Sequence, residues 1–238
     1  MLNKDYSKLY KLQDNFFDFW KTLNLPFYLT GGTALGRFYL NHRYSDDLDF
    51  FINNDINFKK NIDFILNQLQ KKFEVLISEN IIYEDFSRIF IKENETVLKI
   101  EFVNDIEYRT GKPSSISWGL VDTPINILSN KLSAIIGREE PKDIFDIIHL
   151  SLNYQFNWTD IFYETKNKVL INEIDVEQKI HSFPIQLFED LQWFINEPDK
   201  DLYLKYIKTI SNDFITGSDN SLSQTNINIS DAKPILIK

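Results

Sequence analysis

Apolar residues change their period once along this chain of 238 residues, and that change constrains the fold more than any other feature. Before Pro124, runs with an apolar residue at every second position alternate with stretches that repeat every three or four. After Pro124 only the helical spacing remains. The pattern reads as α+β: a small mixed β-sheet flanked by helices, then a mostly helical C-terminal half. The expected division is a core over residues 1–124, a helical domain over 125–215, and a Ser/Asn-rich tail over 216–238, mobile or loosely packed.

Leu9, Leu12, Phe16, Phe19 and Trp20 predict a helix from about Lys4 to Leu23, with Pro26 beyond its end. Phe27–Thr30 reads as a buried strand, and the Gly31-Gly32 turn leads into a helix over Thr33–Tyr39. Asp47–Ile52 is a strand with Leu48, Phe50 and Ile52 on one face and Asp47, Asp49 and Phe51 on the other. Ile56–Lys72 is helical, and strands follow over Phe73–Ser78, Phe86–Lys92 and Thr96–Val103, the last two forming a hairpin. Asp105–Gly119 reads as an irregular crossover. Helices are expected over Asn126–Arg138, Lys142–Asn153, Trp158–Lys166, Asp175–Ser182, Pro184–Ile195 and Asp199–Ile210. The alternation Asn226-Ile227-Asn228-Ile229 also permits one added strand.

Composition narrows the chemistry. There is no cysteine, which excludes disulfides and thiolate-bound zinc, and three histidines are too few for a histidine cluster without carboxylates. The formal charge of −9 argues against holding nucleic acid by bulk electrostatics, so such a role needs a local basic surface and bound metal. No apolar run is long enough to span a membrane, and the first residues carry no secretory pattern, so the cytoplasm is the expected compartment.

Asp47 and Asp49, two residues apart on a strand, leave from the same face. Closely held carboxylates repel, and a divalent cation relieves the repulsion. Surface aspartates at a strand end would show the same pattern. Upstream, the Gly31-Gly32 turn exposes backbone N–H groups suited to an anion such as a terminal phosphate, and the Thr33 hydroxyl adds a donor. Glu101 lies on a later strand with Lys99 on its face. If that strand pairs beside the first, Glu101 completes a carboxylate set suited to Mg²⁺ or Mn²⁺. Two such ions would activate an attacking hydroxyl and neutralise a leaving pyrophosphate. Alternatively, Lys99 forms an edge-strand salt bridge. In the helical half, Lys131 and Arg138 stand two turns apart on one face, and Asp143 and Asp146 share another. These basic groups, with Lys142, could hold a triphosphate or a nucleic-acid 3′ end, whereas a solvated helix pair needs no ligand. Intrahelical ion pairs are the plainer reading.

The blocks Gly31-Gly32-Thr33-Ala34-Leu35 and His42-Arg43-Tyr44-Ser45-Asp46-Asp47-Leu48-Asp49-Phe50 resemble the AbiEii/AbiGii nucleotidyltransferase toxins. So do Asn130-Lys131-Leu132-Ser133-Ala134-Ile135, Arg138 and Lys142-Asp143-Ile144-Phe145-Asp146-Ile147. The resemblance covers about residues 25 to 150 and implies a polymerase-beta-like core. It also implies metal-dependent transfer of a nucleoside monophosphate from an NTP, in some members to the 3′ end of tRNA, with an antitoxin as partner. Carried onto this sequence, Gly31, Gly32 and Thr33 hold the triphosphate, and Asp47 and Asp49 bind the metals. Glu101 takes the place of the third carboxylate. Lys131 matches the lysine of the helical motif, and Asp143 or Asp146 the acid after it. Arg43 and Ser45 order the loop before the metal strand. Nucleotidylation of a small molecule or protein is the alternative, as is an inactive nucleotide-binding or interaction module.

Overall fold

The computed structural model describes residues 4–189 and 191–235. The chain forms two compact units. One contains the chain up to Ala34, Tyr44–Glu107 and Pro113–Asp122. The other contains Leu35–Arg43, Tyr108–Lys112 and the chain from Thr123 onward. Two short segments from the first half, Leu35–Arg43 and Tyr108–Lys112, thus belong to the unit that resumes at Thr123.

The first unit holds β1 (Tyr28–Thr30), β2 (Leu48–Asn53), β3 (Glu74–Val75), β4 (Ile81–Ile82), β5 (Phe86–Glu93), β6 (Thr96–Asp105), β7 (Ser114–Ile116) and β8 (Gly119–Val121). They form one mixed sheet in the order β3-β5-β6-β2-β1-β8-β7, with β4 paired to β5. The β2–β6 and β1–β8 pairs are parallel, and the others are antiparallel. Alternation along β2 and β6 sends Leu48, Phe50, Ile52, Leu98, Ile100 and Phe102 to one buried face. Helix α1 (Tyr6–Trp20) lays Leu9, Leu12, Phe16 and Trp20 against that face, with the Trp20 ring 4.4 Å from Phe50 and 5.8 Å from Phe102. Helix α3 (Phe58–Lys72) adds Phe58, Ile62, Ile65 and Leu69, and Phe27 bridges Phe58 and Phe102. Emptying the Phe50 position would cost about 3–5 kcal/mol. With one face filled, Asp49 on β2 and Lys99 and Glu101 on β6 leave from the other.

The crossover over Asp105–Gly119 is more regular than expected, because Ser114–Ile116 pairs with Gly119–Val121. Three-residue strands are too short to show a period, and tertiary contact makes this one: Trp118 stacks on Phe17 at 4.3 Å. Phe73–Ser78 shortens to β3 followed by a single 3₁₀ turn at Ile77–Glu79.

After β1 the chain turns into α2 (Gly31–Leu35) and a π-helical turn, Gly36–Leu40. The second unit then contains α4 (Pro124–Gly137), α5 (Pro141–Asn153), α6 (Trp158–Lys166), α7 (Glu173–His181) and α8 (Lys200–Thr216). Thr123 caps α4 by accepting from Asn126 N–H, and Pro124 occupies the first turn, where no amide donor is needed. Pro184–Ile195 is not the expected α-helix: among its described residues only Ile185–Phe188 coils, as a 3₁₀ turn. Its aromatic residues instead surround Phe145, with ring distances of 5.7 Å for Phe188, 5.1 Å for Trp193 and 5.2 Å for Phe194. A helix would place those rings around its circumference, and a loop delivers them to one point.

Residues 217–235 also differ from the mobile or loosely packed tail read from composition. Ser218 C=O accepts from Trp158 N–H, and Asn220 donates to the Ser151 and Tyr154 carbonyls at 2.7 and 2.8 Å. Gln155 N–H donates to Ile227 C=O, Ile229 N–H donates to Gln155 C=O, and Ile229 is buried. Asn228 thus makes a single bridge to Gln155 rather than an added strand. Asn220, one of the residues that give the segment a disordered-looking composition, thus serves as a side-chain partner for carbonyls at the end of α5. Among the described residues no helix is long and apolar enough to cross a membrane.

Candidate active site

The polar face of the sheet brings three of the expected acids together. Thr30 pairs with Asp49, Asp49 with Glu101, and Glu101 with Arg88, so one row crosses β1, β2, β6 and β5. Asp47 lies one residue before β2, beside Lys99. Gly31 has φ +68°, and a Cβ on it would come within 2.7 Å of Asp49 Oδ2. Only glycine combines that backbone with so close an approach. The turn and the carboxylate are therefore built against each other. Thr33 is fully buried and donates its hydroxyl to the Asp47 carbonyl, so it pins the start of the acidic strand rather than presenting the extra donor expected of it. The loop before Asp47 is held from α1, where Gln13 donates to Ser45 C=O at 3.0 Å and the Tyr10 hydroxyl accepts from Ser45 N–H at 3.1 Å. Ser45 thus fixes this loop through its backbone; Gln13 and Tyr10 carry no motif that would have announced them.

The carboxylates are not left uncompensated. Lys99 Nζ lies 2.9 Å from Asp47 Oδ2 and 3.5 Å from Glu101 Oε1, and Arg88 Nε donates to Glu101 Oε1 at 2.6 Å. Burial opposes the Lys99 charge, but the hydrogen bond and charge of Asp47, with Glu101 and Asp49, outweigh it and raise its pKa above the ordinary lysine value. Lys99 does form a salt bridge, but on an interior strand and to the candidate acids themselves, not at an edge.

Among the described residues no three Asp, Glu or His side chains are gathered closely enough to cage a metal by themselves. The expected three-carboxylate cage is therefore not preassembled, because Glu101 is turned to Arg88 and Lys99. The donors still suit a hard cation: Mg²⁺ commonly uses one or two carboxylates, with waters and substrate phosphates completing its shell. The Lys99 ammonium, seated between Asp47 and Glu101, stands in for such a charge.

In the helical unit the other expected residues form a buried ion cluster. Lys131 Nζ lies 2.6 Å from Asp143 Oδ1 and 2.7 Å from Asp146 Oδ2. Arg43 holds Asp146 with Nε at 2.7 Å and Nη2 at 2.8 Å, and His42 Nε2 reaches Asp146 Oδ1 at 2.7 Å. Arg138 holds Asp143 with Nε at 2.7 Å and Nη2 at 3.0 Å. Both aspartates are fully buried and Lys131 is only 7% exposed. Lys131 is therefore not a solvated lysine on an open helix face. Arg43, expected to order the loop before Asp47, instead anchors Asp146. Lys142 lies with its ammonium 6.0 Å from the Trp193 ring centre, and Arg43 with its guanidinium 5.7 Å from it.

Burial would raise both aspartate pKa values, but the surrounding cations reverse this. Lys131 and Arg138 hold Asp143 below its ordinary value, and Arg43 and Lys131, with His42, hold Asp146 well below. Burial lowers His42 despite its bond to Asp146 and keeps it neutral. Its Nε2 then donates to the carboxylate, leaving a buried Nδ1 without a hydrogen-bond partner. Burial, chiefly, pushes His149 down to about 3.

No curated protein matches the sequence. Among solved structures, the fold is similar to JHP933 from Helicobacter pylori, with a TM-score of 0.54 at 19% identity over 91% of this chain and 96% of that one. It is equally similar to a candidate nucleotidyltransferase from H. pylori, with a TM-score of 0.54 at 19% identity over 88% and 97%. Residues 19–191 match the family described as nucleotidyl transferase AbiEii toxin, type IV toxin–antitoxin system. That span contains the glycine turn, the acidic strand and the buried Lys131 cluster, and it makes this chain a nucleotidyltransferase of the AbiEii toxin family.

Proposed function

We propose that the chain moves a nucleoside monophosphate from an NTP to an acceptor hydroxyl at the 3′ end of tRNA, as the toxin of a toxin–antitoxin pair, with Mg²⁺ or Mn²⁺. The reading is supported by its family and carried by one observation: the Gly31 backbone lies so close to Asp49 that no side chain fits between them. Asp47 and Asp49 would hold the metal, with Glu101 completing the set, and the Gly31-Gly32 turn would take the triphosphate. A divalent ion bound there supplies charge for the triphosphate and for the attacking oxygen. Thr33, Ser45 and Gln13 keep the acidic strand start in place. Lys131, Arg43 and Arg138 act on Asp143 and Asp146, and so position the helical unit's motif rather than grip phosphate. An antitoxin and an NTP are the partners this family implies, and the cytoplasm is the compartment where both are found.

Transfer to a small molecule or a protein is the second reading. The net charge of −9 favours it, and so does the burial of Lys131, which removes one cation from the surface expected to meet RNA. Labelled NTPs offered one at a time with Mg²⁺ or Mn²⁺ and total tRNA would separate the two. Label in tRNA that disappears after 3′ oxidation and falls steeply with salt is expected. Label that survives oxidation, or enters only protein or small molecules, would refute the tRNA acceptor. Asp49→Asn should reduce transfer at least 100-fold while leaving thermal unfolding nearly unchanged. Full turnover would remove Asp49 from the site.

A further inference from the structure

We propose that Lys99 is a built-in counter-ion of the acidic face, which a free divalent cation must displace, so that the site takes metal readily only when nucleotide accompanies it. The inference rests on the metal-dependent reading above and concerns how that site is regulated. The parallel register that aligns Asp49 with Glu101 also sets Lys99 beside Asp47. Its ammonium reaches both Asp47 at 2.9 Å and Glu101 at 3.5 Å, so it lies where the two carboxylates would otherwise share a cation.

Side-chain chemistry separates Lys99 from Arg88. Arg88 donates to Glu101 at 2.6 Å and rests with its guanidinium 5.5 Å from the Phe86 ring centre, an arrangement a planar side chain holds well. Lys99 carries a compact charge on a flexible stem, so its ammonium can swing outward without breaking a planar hydrogen-bonded fork; exposure does not separate the two, the side chains being 28% and 35% exposed. Without metal, Lys99 keeps Asp47 and Glu101 from repelling each other. A free ion arriving at Asp47 meets this ammonium at close range and must expel it into water. A nucleotide-borne ion brings phosphate oxygens that give the ammonium a new partner. The lysine therefore penalises the free metal more than the metal–nucleotide complex.

Binding of Mn²⁺ alone to the full chain, followed by loss of the free-ion electron paramagnetic resonance signal, tests this without turnover. Lys99→Met should bind Mn²⁺ about tenfold more tightly than the wild type, and Lys99→Arg should stay near it. Added non-hydrolysable NTP should narrow the gap between Lys99→Met and wild type. Lys99→Gln serves as a second neutral variant should the first fail to fold. Unchanged or weaker Mn²⁺ binding in the folded neutral variant, with binding still abolished by Asp49→Asn, would overturn the role of Lys99 and leave the site standing. No binding by either wild type or neutral variant would also overturn it. Binding indifferent to Asp49→Asn would refute the metal site itself.

Discussion

Replacing Lys131 by Met tests whether this lysine is a surface group or part of the interior. Its ammonium contacts Asp143 at 2.6 Å and Asp146 at 2.7 Å, and both carboxylates are fully buried. Methionine keeps most of the length of the side chain and removes the charge together with its hydrogen-bond donors. Breaking a buried ion pair from one side costs about 3–5 kcal/mol, because the partner charge stays behind in low dielectric. Here the carboxylates keep other cations: Asp146 retains Arg43 and His42, and Asp143 retains Arg138, whose side chain is 60% exposed. The loss therefore falls near the lower end, about 3 kcal/mol. In a chain of this size that corresponds to a fall in Tm of roughly 6–12 °C. Urea unfolding measures it directly. The double variant Lys131→Met/Asp143→Asn should recover part of the loss, since it removes a stranded charge. A loss below about 1 kcal/mol, the range of exposed pairs, would refute the interior role. Activity would fall in either case, so the unfolding curve, not the rate, is the deciding measurement.

Gly31→Ala should destabilise by about 1–2 kcal/mol through its left-handed backbone and abolish transfer by pushing Asp49 aside; wild-type rates would disprove the close fit between turn and carboxylate. Stability should also fall on mild acidification. His149 takes its proton near pH 3 in the folded chain and near 6.5 when unfolded, so protons favour the unfolded state as pH drops below 6.5. Between pH 7 and 5 this one group removes about 2 kcal/mol. His42, also lowered, acts in the same direction, while the depressed Asp143 and Asp146 add their losses only below about pH 4. A melting temperature flat from pH 7 to 5 would contradict the burial of these imidazoles.

Local pattern was enough for much of this protein. Period-two alternation placed Leu48 and Phe50 inward and Asp47 and Asp49 outward, because successive strand residues must face opposite ways. Helical spacing located α1, α3 and α4–α6 within a few residues, and Pro124 marked a helix start because proline's missing amide is harmless there. The Gly31-Gly32 turn and the acidic strand stood out in the sequence for the same reason: the residues that make them are neighbours.

What the pattern did not contain were relations between distant residues. The pairing of Asp49 with Glu101 depends on the parallel register of two strands whose hydrogen bonds leave no trace in either segment. That register, in turn, puts Lys99 against Asp47 and makes an apparent edge salt bridge the counter-ion of the acidic face. Lys131 looked solvated because a lysine two turns from an arginine says nothing about what packs above it, whereas Arg138 does stay largely in water. Only the packing of α5 on α4 brings Asp143 and Asp146 over Lys131 and closes off water. Pro184–Ile195 failed as a helix because seven apolar residues in twelve carry a helical period almost by default, while the aromatic pocket around Phe145 chose a loop. Composition misread residues 217–235 for a related reason. Serine and asparagine make a free chain soluble, but an asparagine such as Asn220 satisfies buried carbonyls once the tertiary fold presents them.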